Sequence, residues 1–432
     1  MKHRVSIATL GCKTNQYESA AIAERLETAG YEVVSFDEGA ELVIVNTCTV
    51  TAATDSQSRN LIRRARRLNP AARVVVTGCY AQVAPQKLIN LPGVALVIGN
   101  AEKKEFLELL GDIADTPRIK VGDMRETRDA VALPLSRFPD RSRAFVQIQN
   151  GCNAFCSYCI IPYARGRSRS LSPAQVVSQV RELVQAGYPE IVLTGIHIGG
   201  YGADLTPATS LQDLVVLLEE QTDVRRLRIG SVEPTEITTT LVERVACSKV
   251  VCPHFHIPLQ SGSDTVLDRM NRSYDTAFFR RVVEGIHHRI TSAAIGLDVI
   301  VGFPGETEEE FEETFRFIEE LPVTHLHVFP FSRRPGTPAA TYPDQVSGSV
   351  AKERAARLRA LGERRTRAYS EQFIGREVEV VEEGGQPSGW RKGLTRHYLP
   401  VFFRSPEERT GHCVRVRVLR SSDRGLDGEV IE

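Results

Sequence analysis

The sequence predicts an α/β chain in three parts: a parallel-sheet βαβ domain over 1–112, a second parallel unit over 144–372, and a small antiparallel β-barrel over 373–432. Three observations carry this. Short, β-branched apolar runs alternate with helical patterns through most of the chain, which is the order of βαβ units. From Gly375 onward the pattern shifts to short alternating strands between turns, which suits an antiparallel barrel. Between the first two parts, Gly111 to Arg143 mixes polar residues with Pro134 and Pro139. It shows little periodicity, so 113–143 reads as a linker with one short strand, Arg118–Val121.

Composition bounds the function. The chain has 432 residues, 42% hydrophobic and 25% charged, ordinary for a soluble globular protein. The formal net charge is +0, so any surface for nucleic acid must be local. No apolar run reaches the roughly 20 residues a membrane helix needs. The stretch MKHRVSIATLGC reads as a first strand, not a signal peptide. Nine cysteines without a secretion signal point to metal or catalytic chemistry in a reducing compartment, so a cytoplasmic location is expected.

In the first part, Arg4–Thr9, Leu42–Asn46, Arg73–Thr77 and Val94–Ile98 read as strands. Helical patterns cover Glu18–Ala29, Ala52–Leu68 and Pro85–Ile89. Cys12, Cys48 and Cys79 each fall one to three residues past a strand's carboxyl end. In a parallel sheet those ends share one edge, where open α/β folds bind ligands. Three thiols far apart in sequence can therefore converge, either as buried structural cysteines or as ligands of one metal centre. Helix Ala52–Leu68 also carries Arg59, Arg63, Arg64, Arg66 and Arg67, a solvated face or an RNA-facing patch.

In the second part, Ala144–Gln149 is the first strand, and NGCNAFCSYCIIPYARGRSRS (150–170) follows. Cys152, Cys156 and Cys159 form a C-x3-C-x2-C run. Three thiolates so spaced can grip one metal centre. A [4Fe–4S] cluster takes four ligands, so three from the protein leave one iron open for chemistry. Zinc is the rival, but it would need a fourth ligand from outside the run. The run, with its basic loop, resembles that of the radical S-adenosylmethionine (SAM) enzymes. The resemblance implies a [4Fe–4S] cluster on Cys152, Cys156 and Cys159 whose open iron binds SAM and cleaves it to a 5′-deoxyadenosyl radical.

Further βα units follow. Pro173 starts a helix behind its cap Ser172. Ile191–Thr194, Arg226–Ile229, His254–Ile257, Leu297–Val301 and His325–Phe329 read as strands. Thr307–Leu321 is a helix with a Thr307/Glu310 capping box. Six such units suggest a partial TIM barrel, which is also the radical SAM fold. Its functional residues are expected after the strands' carboxyl ends. There Gly195 allows close approach, and Glu233 can accept from an ammonium or hydroxyl or sit in a salt bridge. Gln260 and Ser261 suit a ribose, and Gly302 to Glu306 (GFPGE) is similar to the family's adenine-contacting segment. Tyr158, within the cysteine run, joins this expected cofactor set. Arg165, Arg167 and Arg169 are candidates for SAM's carboxylate, substrate phosphate or salt bridges, and Arg165 and Arg167 are counted with the RNA-binding set. Cys247, Cys252 and Cys413 read as ordinary thiols, and His254, His256, His325 and His327 as core histidines. FSRRPGTPA (331–339) has no derivable role.

Val350–Phe373 reads as a long basic helix. The barrel strands expected after it are REVEVVEE, HYLPVFFR, CVRVRVLRS and GLDGEVIE. Arg391, Lys392 and Arg396, with Trp390, Tyr398, Phe403 and Arg404, could meet phosphates and stack bases, or merely cover a small barrel.

The words LGCKTNQYES, VNTCTVTAATDSQSR and TGCYAQ, together with the radical SAM run, resemble the radical SAM methylthiotransferase family across essentially the whole chain. The resemblance implies an auxiliary [4Fe–4S] cluster on Cys12, Cys48 and Cys79, a radical SAM domain and a C-terminal TRAM domain that binds RNA. It implies two SAM molecules, one giving a methyl group to sulfur on the auxiliary cluster and one giving the radical. The expected partners are tRNA and an electron donor such as flavodoxin or ferredoxin. GCKTNQYES and GCNAFCSYCIIPYARGRSRS look most like the branch acting on N6-threonylcarbamoyladenosine. The alternatives are the isopentenyladenosine branch, a branch modifying a ribosomal-protein aspartate, and a non-enzymatic iron–sulfur or zinc RNA-binding protein.

Overall fold

Continuous apolar strands need cover on both faces, and the first domain supplies it with helices. The computed structural model describes residues 3–111, 116–130, 133–138, 141–385, 389–405 and 409–431. The elements run β1 (Arg4–Thr9), α1 (Lys13–Thr28), β2 (Glu32–Val33), β3 (Leu42–Thr47), α2 (Ala52–Leu68), β4 (Arg73–Gly78), α3 (Cys79–Val83), α4 (Pro85–Ile89), β5 (Val94–Ile98), α5 (Phe106–Gly111) and β6 (Arg118–Lys120). They form one parallel sheet in the order β2-β1-β3-β4-β5-β6. The sheet thus takes in β6, beyond the boundary expected at 112. Helix α1 starts at Lys13, not at Glu18. Its first turn buries Thr14, Asn15 and Tyr17, polar or aromatic groups that apolar periodicity does not register.

The central unit continues with β7 (Ala144–Gln147), β8 (Gln149–Asn150), α6 (Ile161–Arg165), β9 (Arg169–Ser170), α7 (Pro173–Gln185), β10 (Glu190–Thr194), α8 (Leu211–Gln221), β11 (Arg226–Ile229), α9 (Thr239–Cys247), β12 (His254–Gln260), α10 (Asp264–Arg269), α11 (Thr276–Arg289), β13 (Ala294–Val301), α12 (Glu308–Glu320) and β14 (His325–Pro330). The expected Thr307/Glu310 capping box is present, and the expected cap Ser172 forms a box of its own with Gln175. The strands form two parallel sheets, β11-β10-β7 and β12-β13-β14, joined by the bridges Leu227–Val251 and Ser231–His256. The result is an open half-barrel with β7 and β14 at its free edges. Strand side chains alternate between faces. Phe255, Ile257, Leu297 and Val299 pack outward with Phe279, Ile286 and Phe311 of the helices. His254, His256, Asp298, His325 and His327 take the opposite, inner face.

The N-terminal domain spans the gap between the free edges. Helix α1 packs on β7, and its Tyr17, Ala20 and Ala21 enter the central core. Across the gap, the loop after β14 reaches back to the start of α2, where Ala52 N donates to Ser332 Oγ at 2.9 Å. The linker is not loose either, since Leu133, Leu135 and Phe138 are buried in the same core.

Helix α13 (Gly348–Glu371) leads to β15 (Glu377–Gly385), β16 (Trp390–Thr395), β17 (Pro400–Arg404), β18 (Cys413–Ser422) and β19 (Gly425–Val430), a closed barrel in the order β15-β16-β17-β19-β18. The strand β16, WRKGLT, has no apolar alternation and was not among the expected strands. Its pairing with β15 and β17 makes it one. The turn after β16 docks on the amino ends of the half-barrel strands. Arg228 donates to the carbonyls of Arg396 and Thr395 at 2.9 and 3.0 Å, and Arg396 Nη2 donates to the Val251 carbonyl at 2.8 Å.

Candidate active site

The sheet's carboxyl edge brings the three N-terminal cysteines together. Cys12 is the N-cap of α1, Cys48 follows β3, and Cys79 opens α3 after β4. Gly11 sits at φ +98°, and a Cβ there would lie 2.7 Å from Cys48 Cβ and 2.8 Å from Cys48 Sγ. Glycine therefore lets the first loop close against Cys48. Burial pushes the Cys48 thiol up to about 11, with Cys79 and Cys12 adding to the effect.

The second triad follows β8. Arg272 Nη1 donates to Cys156 Sγ at 3.0 Å, and its other nitrogen pairs with Glu233. His197 Nδ1 lies 3.5 Å from Cys152 Sγ, while its Nε2 is 2.7 Å from Glu236 Oε1. Burial pushes the Cys159 thiol up to about 12, with Cys156 and Cys152 close by. Among the described residues all six thiols are free. Each triad thus gathers three free thiols, and a metal centre bound there would take the place of their protons. The all-thiol donor sets fit iron–sulfur clusters.

One side chain ties the triads together. Arg165 ends α6, six residues past Cys159, and is fully buried. Its Nε donates to Cys79 Sγ at 3.3 Å. Its Nη1 donates to Glu18 Oε1 at 2.6 Å and its Nη2 to Asn15 Oδ1 at 2.6 Å. Lys103 pairs with the other Glu18 oxygen and donates to Asn100 Oδ1 at 2.9 Å. Burial pushes the Glu18 carboxyl up, but Arg165 and Lys103 outweigh it and hold it at about 2. Arg165 is therefore an interdomain strut and not an RNA contact. Arg169 is also buried and donates to the Arg165 carbonyl at 2.8 Å. Only Arg167 of the three is exposed, and among the described residues its side chain has no ion-pair partner.

The FSRRPGTPA loop, left without a role by sequence, joins both cysteine sites. Arg334 Nη2 donates to Thr49 Oγ1 and Asp55 Oδ2, both at 2.6 Å, next to Cys48. Ala339 N donates to the carbonyl of Ser157, inside the C-x3-C-x2-C run, at 2.8 Å. Nothing in the sequence marked Glu18, Lys103, Asp55, His197, Glu236 or Arg272 as site residues. Each acts through a partner distant in the chain.

The expected cofactor set divides. Tyr158 packs edge-on against Phe303, and Gln260 ends β12 at φ +67°. Glu233 lies beside the Cys156 donor, its carboxyl pushed up by burial against the pull of Arg272. Gly195 is required by packing, as a Cβ would come 2.7 Å from Ile198 Cγ2 and 2.8 Å from the Gln149 carbonyl. Three more of the set have partners within the protein. Ser261 is fully buried, and its hydroxyl is engaged with Thr314 at 3.1 Å. Glu306 is buried and accepts from Gly302 N at 2.6 Å and from Arg354 at 2.7 Å. Gly302 faces Ala351 of α13, whose Cβ would be 2.7 Å from one placed on it. The side chains of Ser261 and Glu306 shape these loops, and Gly302 and Glu306 help to seat α13.

The barrel's basic residues are also largely spoken for. Arg391 faces Glu382, Lys392 pairs with Glu383 at 3.1 Å, and Arg396 docks on Val251. A different constellation surrounds Trp390, which carries Arg404 at 5.3 Å and Arg424 at 4.4 Å from its ring; Arg424 also covers Phe402 and pairs with Asp427 at 2.6 Å.

Residues 4–99 match the uncharacterized protein family UPF0004, and residues 146–318 match the Radical SAM superfamily. The half-barrel with its cysteine run defines a radical SAM enzyme, with [4Fe–4S] and SAM as cofactors, and the first domain adds a second cysteine triad. The chain belongs to the tRNA methylthiotransferase family. It is 41% identical to the threonylcarbamoyladenosine tRNA methylthiotransferase MtaB of Bacillus subtilis, over 99% of this chain and 96% of that protein. The protein of that name from Aquifex aeolicus is 36% identical over 96% of this chain and 100% of its own length. A tRNA-2-methylthio-N(6)-dimethylallyladenosine synthase of Moorella thermoacetica is 35% identical over 99% of this chain and 98% of its own. In fold, the chain is similar to the radical SAM methyltransferase TsrM of Kitasatospora setae, with a TM-score of 0.58 and 18% identity over 79% of this chain and 77% of that one. No helix among the described residues is long and apolar enough to cross a membrane.

Proposed function

We propose that this chain converts N6-threonylcarbamoyladenosine at position 37 of tRNA to its 2-methylthio derivative, in the cytoplasm. The observation that carries the reading is the pair of three-cysteine sites, held by Arg165 and the Arg334 loop on facing elements. Cys152, Cys156 and Cys159 would hold the SAM-binding [4Fe–4S] cluster, and Cys12, Cys48 and Cys79 the auxiliary one. When bound, these groups supply reductive SAM cleavage, hydrogen abstraction from an unactivated carbon, and the sulfur that is transferred. The chain's own part is positioning, which turns two encounters into one. Arg272 fixes Cys156 and aims Glu233, which would accept from SAM's ammonium. Tyr158 and Gln260 line the same end of the half-barrel. Arg167, with Arg404, Arg424 and Trp390 on the barrel and the arginines of α2, would meet the tRNA. A flavodoxin or ferredoxin is the electron donor this chemistry asks for.

The relatives named for dimethylallyladenosine favour a second substrate, an isopentenylated adenosine. The test is to incubate the anaerobically reconstituted enzyme with SAM, reductant and tRNAs carrying either modification, then digest to nucleosides for mass spectrometry. Methylthio on threonylcarbamoyladenosine is expected. Methylthio on the isopentenyl nucleoside alone would overturn the reading.

A further inference from the structure

A positive charge without a partner stands inside this site. Lys13 follows Cys12 directly and opens α1, the helix lying across the half-barrel's gap. Among the described residues its ammonium has no hydrogen bond or ion pair. Burial and the charges of Arg143 and Arg228 push its ammonium down from the ordinary lysine value while Glu190 opposes them, and Lys13 in turn acts on His254. That neighbourhood is already short of negative charge. Arg143, Arg226 and Arg228 share the single buried Glu190, at 3.4, 2.8 and 2.8 Å, and Glu383 serves Arg143 as well. Lys13 adds a further cation to this cluster, and Glu190, already shared by three arginines, is the carboxylate that acts on it.

Polar atoms without partners continue from there along the inner face. His254 is only 5% exposed, and neither ring nitrogen has a partner. Its ring stacks on His325 at 5.9 Å, whose Nε2 is likewise unpartnered. His325 lies 5.5 Å from His327, which with His256 flanks Asp298 at 3.4 and 2.9 Å. Buried polar groups without partners are costly, and a hydrocarbon substituent would leave all of these unmet. A substituent carrying a carboxylate, an amide and a hydroxyl would meet them.

We propose that Lys13 is the specificity-determining residue that pairs with the carboxylate of an amino-acid-bearing adenosine, with His254 and His325 as neighbouring polar contacts. This rests on the function proposed above and names how that substrate is told from an apolar one. A site built for a polar group rejects the analogue that lacks it, because its own groups are then left unpaired. The position beside Cys12 suits the demand, since the carboxylate and the carbon that receives sulfur belong to one modified base.

The test uses the full-length, reconstituted protein under anaerobic conditions. Binding is measured for an anticodon stem–loop carrying N6-threonylcarbamoyladenosine and for the same stem–loop with that carboxylate masked as its methyl ester. The wild type is expected to prefer the acid by roughly tenfold or more, as loss of a buried charge pair implies. Lys13→Met should bind the two alike, and Lys13→Arg should keep part of the preference. A Lys13→Met protein that holds full iron and keeps the wild-type ratio overturns the assignment. So does a wild type that does not distinguish acid from ester, however the variants fold. In that case methylthiolation of the acid form would leave the proposed reaction standing, whereas modification of isopentenyladenosine alone would remove the reaction itself.

Discussion

The two cysteine sites are built by opposite routes. Cys152, Cys156 and Cys159 lie within one loop, so their spacing alone gathers them, and the surrounding fold has only to present them. Cys12, Cys48 and Cys79 sit on three loops whose meeting depends on the register of β1, β3 and β4 and on the close approach at Gly11. The first site is local and should tolerate distant damage. The second is topological and inherits every weakness of its sheet and of the interface behind it. Arg165 makes the two unequal partners, because it is anchored in the local site and reaches the topological one.

The largest expected effect separates the sites outright. Wild-type protein should hold about eight irons per chain and each triple cysteine-to-alanine variant about four, as two cubane clusters give. Neither variant should yield methylthio product. Iron and sulfide analysis with nucleoside mass spectrometry checks both, and an unchanged iron count for Cys12→Ala/Cys48→Ala/Cys79→Ala would dissolve the comparison.

Next in size is the strut. Arg165→Ala leaves Glu18 buried beside Lys103 alone, and breaking a buried pair costs on the order of 3–5 kcal/mol. Denaturant titration should show that loss, and the auxiliary site should lose iron before the other does. Acid should mimic it. The Glu18 carboxyl is held at about 2, below its ordinary value of 4.5, so its contribution is complete above about pH 4.5 and is lost as pH falls through about 2. Glu18→Gln should flatten that limb of the stability profile. A limb of unchanged steepness would assign it to other carboxylates, Glu190 foremost, which its arginines also hold at about 2.

The smallest effect belongs to Arg167. As an exposed cation beside the local site, its change to alanine should weaken tRNA binding a few-fold and lower the salt slope by about one. Salt-dependent binding measurements check this. A loss independent of salt would place Arg167 in the chemistry instead.

These asymmetries also explain what could be read in advance. Strands such as Leu42–Thr47 and Arg73–Gly78 announce themselves because burial on both faces leaves a continuous apolar run. The cysteine positions followed from those strand ends. The start of helix α1 escaped the reading because Thr14 and Asn15 are polar residues that lie buried, Asn15 with hydrogen bonds to the Leu10 and Thr47 carbonyls, and β16 because WRKGLT owes its strand to its neighbours. Among candidate contacts, the motif GFPGE signalled a loop correctly but not its direction, since Glu306 turns toward Arg354. Arg165, Arg391 and Arg396 read as basic surface because a sequence does not display the carboxylate or carbonyl that will claim a guanidinium.

Consider finally the turn after β16. Tyr398, held at φ +64°, lays its ring 4.7 Å from His254 and within 5.2 Å of Arg228. The barrel expected to grip RNA is thus also the stopper at the amino end of the half-barrel. Cutting it away would open a drain beneath the reaction chamber, and water would reach groups that now sit dry. A truncated protein would then fail for two unrelated reasons at once, weaker hold on tRNA and a leaking vessel. Substitutions confined to Arg404 and Arg424 would loosen the grip while leaving the stopper in place.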